Sequence, residues 1–125
     1  MAGQGGIRGG QGEGLAQVVT MTAADAADGT GTMSIQIVGA LGLALWRQHV
    51  VTWISTADYA APVATTDFSV ATGVEHAETT ANAEYDVIPD ATGLIVMDIA
   101  DAGTFYVMAE IDGRIYSKAI TITGP

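Results

Sequence analysis

The sequence predicts an all-β domain: an antiparallel sandwich of about seven strands behind a flexible N-terminal arm. Three observations carry that prediction. TMSIQIV at residues 32–38 alternates strictly, with Met33, Ile35 and Ile37 on one face and Thr32, Ser34 and Gln36 on the other. A period of two marks a half-buried strand. Asp112-Gly113 stands between two β-rich runs, and an Asp-Gly pair in that setting is the strongest short-range hairpin signal. Finally, turn residues punctuate the chain at roughly ten-residue intervals, and no segment carries an apolar stripe at helical spacing.

Residues 1–15 form the arm and residues 16–125 the domain. Half of the residues at 1–14 are glycine, the residue that loses most conformational freedom on ordering. Within the arm, Ile7, Arg8 and Leu15 are the anchors it can offer a partner. The domain opens with a strand at 17–22 (QVVTMT) and a loop at 23–31, followed by the alternating strand 32–38. A turn at 39–42 (GALG) leads to a long strand at 45–55. There Val51 and Trp53 share one face, and Val50, Thr52 and Ile54 the other. Trp53 is expected to pack between the sheets. Trp46, one register off, is a candidate interface anchor or, at the start of the strand, a cover for the end of the sandwich.

A polar loop at 56–66, containing Pro62, precedes a short strand at 67–71. Residues 72–83, rich in Thr, Ala and Glu, fit either a short helical turn or an edge strand. Strands at 84–88 and 94–99 flank Pro89-Asp90-Ala91-Thr92-Gly93, whose Pro and Gly suit a turn. Asp101-Ala102-Gly103 turns the chain into the hairpin strands 104–111 and 114–123. A type I′ turn at Asp112-Gly113 pairs Ile111 with Arg114, Ala109 with Tyr116, Val107 with Lys118 and Phe105 with Ile120. That register sets Lys118 on the core-facing side, which calls for a bulge or a snorkelling side chain.

With 125 residues, 49% of them hydrophobic, the chain can build one core of its own. It has no cysteine, so disulfides and thiolate metal sites are excluded. Four basic residues face fourteen acidic ones, a formal net charge of −10. Binding to nucleic acid needs clustered Lys and Arg, and an anionic membrane surface needs the same; neither is an expected partner. The longest apolar-rich stretch, 37–46, is about half the length a membrane helix requires. The first residues hold no apolar signal core, so a soluble protein made without a secretion signal is expected.

No motif for chemistry is complete. A metal site wants ligands at set spacing, and neither His49 nor His76 has one nearby in the chain. His49 is expected to be a surface or interface side chain. The pairs Asp25/Asp28, Asp86/Asp90 and Asp98/Asp101 do not match a calcium loop. They suit turns, in which an Asp side chain bonds an amide two residues on. Ser34, Ser55, Ser69 and Ser117 lack the G-x-S-x-G context. The arm glycines lack the flanking strand and helix of a nucleotide-binding loop. The expectation is therefore a non-enzyme with no catalytic, cofactor-binding or metal-binding residues, whose candidate partner-binding residues are Ile7, Arg8, Leu15 and Trp46.

From Met33 onward the order of signals resembles the small immunoglobulin-like domains of tailed-bacteriophage virion proteins. The matching pieces are the strand ending at Val38, the Gly39–Gly42 turn and the V-x-W strand at Val51–Trp53. After a polar middle come Asp90-Ala91-Thr92-Gly93 leading to a strand, Gly103-Thr104-Phe105-Tyr106-Val107 leading to Asp112-Gly113-Arg114, and a last strand at 115–123. The likeness spans about residues 33–123 and is one of sandwich architecture, because the cysteine pair of antibody domains is absent. It implies an immunoglobulin-like virion structural protein, of the head decoration (cement) or head-fibre type. A decoration protein binds the outer head shell and reinforces it. The implied partners are the major capsid protein or other virion proteins, with self-association into a homo-oligomer, a trimer included. The implied location is the virion, assembled in the host bacterial cytoplasm. The alternative is a cell-surface or carbohydrate-binding accessory domain of a head fibre or tail, displaying Tyr59, Tyr106 or Tyr116.

Overall fold

A computed structural model describes residues 17–39, 48–64 and 67–125. Among them are nine strands and no helix: β1 (Gln17–Asp25), β2 (Gly31–Gly39), β3 (Val50–Ser55), β4 (Phe68–Thr72), β5 (Val74–Thr80), β6 (Glu84–Ile88), β7 (Leu94–Ile99), β8 (Gly103–Ile111) and β9 (Arg114–Ile122). All pairings are antiparallel. They build a four-stranded sheet in the order β1-β2-β7-β4 and a five-stranded sheet in the order β9-β8-β3-β6-β5. No helix among the described residues is long and apolar enough to cross a membrane.

The two sheets form the predicted sandwich. β1, β2, β7 and β4 occupy the places of strands A, B, E and D of an immunoglobulin domain, and β9, β8 and β3 those of G, F and C. β6 and β5 extend the second sheet, as the extra strands of variable-type domains do. Their order along the chain differs, because β4 is reached before β5 and β6.

The core lies between the sheets and follows the alternation of the sequence. Met33, Ile35 and Ile37 of β2 are fully buried. Met33 stands opposite Met97 and Ile35 opposite Ile95 on β7. The facing sheet contributes Val50 and Ile54 from β3, Val87 from β6 and Val107 from β8. Nonpolar side chains taken out of water at this density are the main favourable term in the stability of the fold.

The β8–β9 hairpin has the register predicted for it, from Ile111 opposite Arg114 to Phe105 opposite Ile120. Asp112 and Gly113 both have positive φ, 53° and 76°, as a type I′ turn requires. No bulge interrupts the ladder at Lys118; its side chain is exposed, the outcome open to an edge strand.

Trp53 departs from expectation. It is buried, but it lies outside the core cluster that Val50 and Ile54 join. Its face of β3 is the outer one, where it stands opposite Met108 of β8. Its indole Nε1 donates to the carbonyl of Ala60 at 2.8 Å, so the loop after β3 covers the ring. The inward place beside it falls to Thr52, fully buried, whose hydroxyl has no hydrogen-bond partner among the described residues. The strand itself begins at Val50, later than the expected residue 45; Gln48 and His49 precede it outside regular structure. The first strand is longer than expected and runs to Asp25.

Of residues 72–83, Val74–Thr80 form the edge strand β5, with Thr72 ending β4 and a turn at 81–83. β4 and β5 are nearly one continuous run, broken at Gly73, yet they belong to different sheets. Gly73 makes the corner with φ +115°, and a Cβ there would lie 3.0 Å from Val87 Cγ1 and 3.1 Å from the Ile88 carbonyl oxygen. Neither that φ nor that space suits an L side chain. The buried hydroxyl of Tyr85 on β6 donates to the Phe68 carbonyl on β4, a second link between the sheets beside the same corner. Burial is the first cause that pushes the Tyr85 phenol upward, followed by its bond to Glu78.

Two substitutions test this architecture. G73A is expected to lower stability by about 2 kcal/mol, read as a lower urea midpoint with an unchanged slope. T52V removes a buried hydroxyl that lacks a partner and is expected to raise stability by about 1 kcal/mol, read as a melting temperature a few degrees higher. A midpoint that G73A leaves in place, or a T52V melting temperature that falls, contradicts the respective reading.

Candidate functional site

The chain contains two histidines, and the fold brings them together. His49 lies just ahead of β3, on the side that continues through Val51 and Trp53. Val51 pairs with Asp86 on β6, so His49 and Asp86 share the outer face of the five-stranded sheet. His49 Nδ1 lies 3.0 Å from both carboxylate oxygens of Asp86. A carboxylate can only accept, so this hydrogen bond places a proton on Nδ1 and leaves the Nε2 lone pair available in the neutral ring.

His76 arrives from β5 through a bulge. Glu75 pairs with Val87, but the next partner, Asp86, is taken by Ala77. His76 is the extra residue, so His76 and Ala77 stand against a single residue. Bulges re-aim side chains in this way and also blunt sheet edges. The His76 ring meets the His49 ring edge-on, with centroids 4.9 Å apart and planes at 90°. One ligand atom from each of His49, His76 and Asp86 lies within 4.8 Å of the other two. Both histidines are exposed, and Asp86 is intermediate; the His49 side chain is 56% exposed. The cluster is therefore open to solvent. Two imidazoles and one carboxylate are a donor set suited to zinc and its neighbours.

Three of the acids expected in turns do what turn chemistry predicts. Asp25 accepts the Ala27 amide, Asp28 the Thr30 amide and Asp90 the Thr92 amide, each two residues on. Asp25 also accepts the amide and hydroxyl of Thr123, pinning the end of β1 to the C-terminal residues. These bonds favour the charged form. The Ala27 amide first, then the Thr123 hydroxyl, holds Asp25 below its ordinary value. The Thr92 hydroxyl first, then the Leu94 amide, does the same for Asp90. Because the folded values are depressed, the stability these groups add is in place above the ordinary carboxylate range and is lost as pH falls through it. Asp25, Asp67 and Asp98 line an open cleft of about 390 Å³ at that end of the sandwich.

The sequence-predicted contact residues Ile7, Arg8, Leu15 and Trp46 lie outside the described residues. His49 and His76 had no partner at ligand spacing along the chain; their partners are supplied by strand pairing and a bulge. Of the tyrosines, Tyr59 is 62% exposed, while Tyr106 and Tyr116 are half-buried. Comparisons with protein-family models, with curated proteins and with solved structures each found no match.

Proposed function

We propose that the chain is a structural component of a tailed-bacteriophage particle: a capsid decoration protein that binds the outer head shell and reinforces it. The observation that carries the reading is how the sandwich receives its N-terminal segment. Gln17, where β1 starts, donates from Nε2 to Asp112 at the tip of the β8–β9 hairpin at 2.8 Å. β1 is an edge strand, with Val18 exposed on its outer side. Gln17 thus enters the domain beside a hairpin tip, on the side of the sandwich where β1 runs next to β9; in this reading the glycine-rich segment that precedes it reaches across a neighbouring subunit.

The resemblance to virion domains, the strongly acidic surface charge and the short connections of the sandwich support the same reading. In it, Ile7, Arg8 and Leu15 anchor the arm, Trp46 adds to the interface, and copies assemble on major capsid protein as a homo-oligomer. Binding across subunit joints adds interface area and raises the cost of shell disassembly. No nucleic acid, membrane, cofactor or catalysis takes part.

A second reading is favoured by one observation. Tyr59 is held out to solvent with φ +56° in the loop that covers Trp53, and an exposed aromatic of this kind suits stacking on a sugar ring. It makes the domain a cell-surface or carbohydrate-binding accessory module of a head fibre or tail.

Particles lacking the protein are expected to release their genome at a lower temperature than complete particles, with the loss restored by adding the purified chain. Equal heat resistance contradicts reinforcement. Binding of the isolated chain to a glycan array, abolished by Y59A, favours the second reading.

A further inference from the structure

We propose that His49, His76 and Asp86 form a binding site for a divalent transition-metal ion of the zinc class, on the outer face of the five-stranded sheet. The proposal is independent of any role in a virus particle. It rests on convergence. The chain has no cysteine and two histidines, so its whole supply of nitrogen and sulfur side-chain ligands favoured by zinc is these two rings. They come from different elements, and both arrive at one carboxylate within 4.8 Å. His49 is carried there by the pairing of Val51 with Asp86, and His76 by the bulge between Glu75 and Ala77.

The distances suit an ion. Two donors bound at about 2.1 Å to one zinc stand about 3.4 Å apart when tetrahedral. His49 Nδ1 and the Asp86 oxygens stand at 3.0 Å, and an ion taking both replaces the proton between them, the neutral ring then carrying its proton on Nε2. The His76 ring is exposed and offers its donor within 4.8 Å of the other two, so core packing does not oppose its closing on the same point. Three protein donors leave at least one coordination position for water. The set is too rich in nitrogen for calcium or magnesium, which prefer oxygen ligands. Because ligands reach it from the segment before β3, from β5 and from β6, an ion here ties the edge strand β5 to the centre of its sheet.

The experiment is a titration of the untagged full chain with zinc chloride near neutral pH, read by calorimetry and by the imidazole resonances of both histidines. The expected result is one ion per chain, both rings shifting together, and no competition from a large excess of magnesium or calcium. H49A, H76A and D86A are each expected to weaken zinc binding at least tenfold. H76Q serves as a milder second variant at the bulge, and melting without zinc confirms that each variant is folded. No binding, a shift of only one ring, or affinity that the three substitutions leave unchanged overturns the proposal. So does preferential binding of calcium.

Discussion

The corner at Gly73 is the constraint on which the arrangement of this sandwich depends. A chain leaving β4 on the four-stranded sheet must cross to the far edge of the five-stranded sheet within one residue. Only a backbone with positive φ and no side chain fits between Val87 and the Ile88 carbonyl at that point. Once the crossing is made there, β5 lies outside β6, and β6 is left as the strand that pairs with β3. The Tyr85 hydroxyl bound to the Phe68 carbonyl ties the same two sheets from the other side of the crossing. The extra strands therefore enter in an order unlike that of a variable-type immunoglobulin domain, although the frame around them is the same.

The cluster of His49, His76 and Asp86 is a consequence of this routing. If β4 and β5 stayed in one sheet, His76 would lie across the sandwich from Asp86. Within that routing, the bulge sets His76 and Ala77 together against Asp86. Exposed ion pairs of the His49–Asp86 kind add little to stability. Substitution at these positions can thus probe ligand binding with the core left intact.

Much of this fold is legible in the sequence, and the reasons are local. Met33, Ile35 and Ile37 alternate because one face of β2 is buried and the other is not. The hairpin register follows from Asp112-Gly113, since a two-residue turn admits one pairing. Asp25, Asp28 and Asp90 each bond the amide two residues on, within reach of a short side chain in a turn. What is hidden is tertiary. β5 is exposed on nearly every residue, so burial imprints no alternation on it, and its Thr, Ala and Glu content hides the strand. Alternation on β3 separates two faces but does not say which is inner; Trp53 takes the outer one because a loop covers it, leaving Thr52 inside. The histidine cluster has no local signature, because its members come from the lead into β3, a bulge and a neighbouring strand. For Ile7, Arg8, Leu15 and Trp46, lying outside the described residues, the reading from sequence stands by itself.

The central claim is that β5 crosses at Gly73 and pairs with β6 through a bulge at His76. Interstrand nuclear Overhauser contacts in the full-length chain measure this most directly. The account predicts contacts joining Val74 to Ile88, Glu75 to Val87 and Ala77 to Asp86, with His76 left out of the ladder. A regular ladder with His76 directly opposite Asp86 and Ala77 opposite Tyr85, or contacts placing residues 74–80 beside β7, would contradict it.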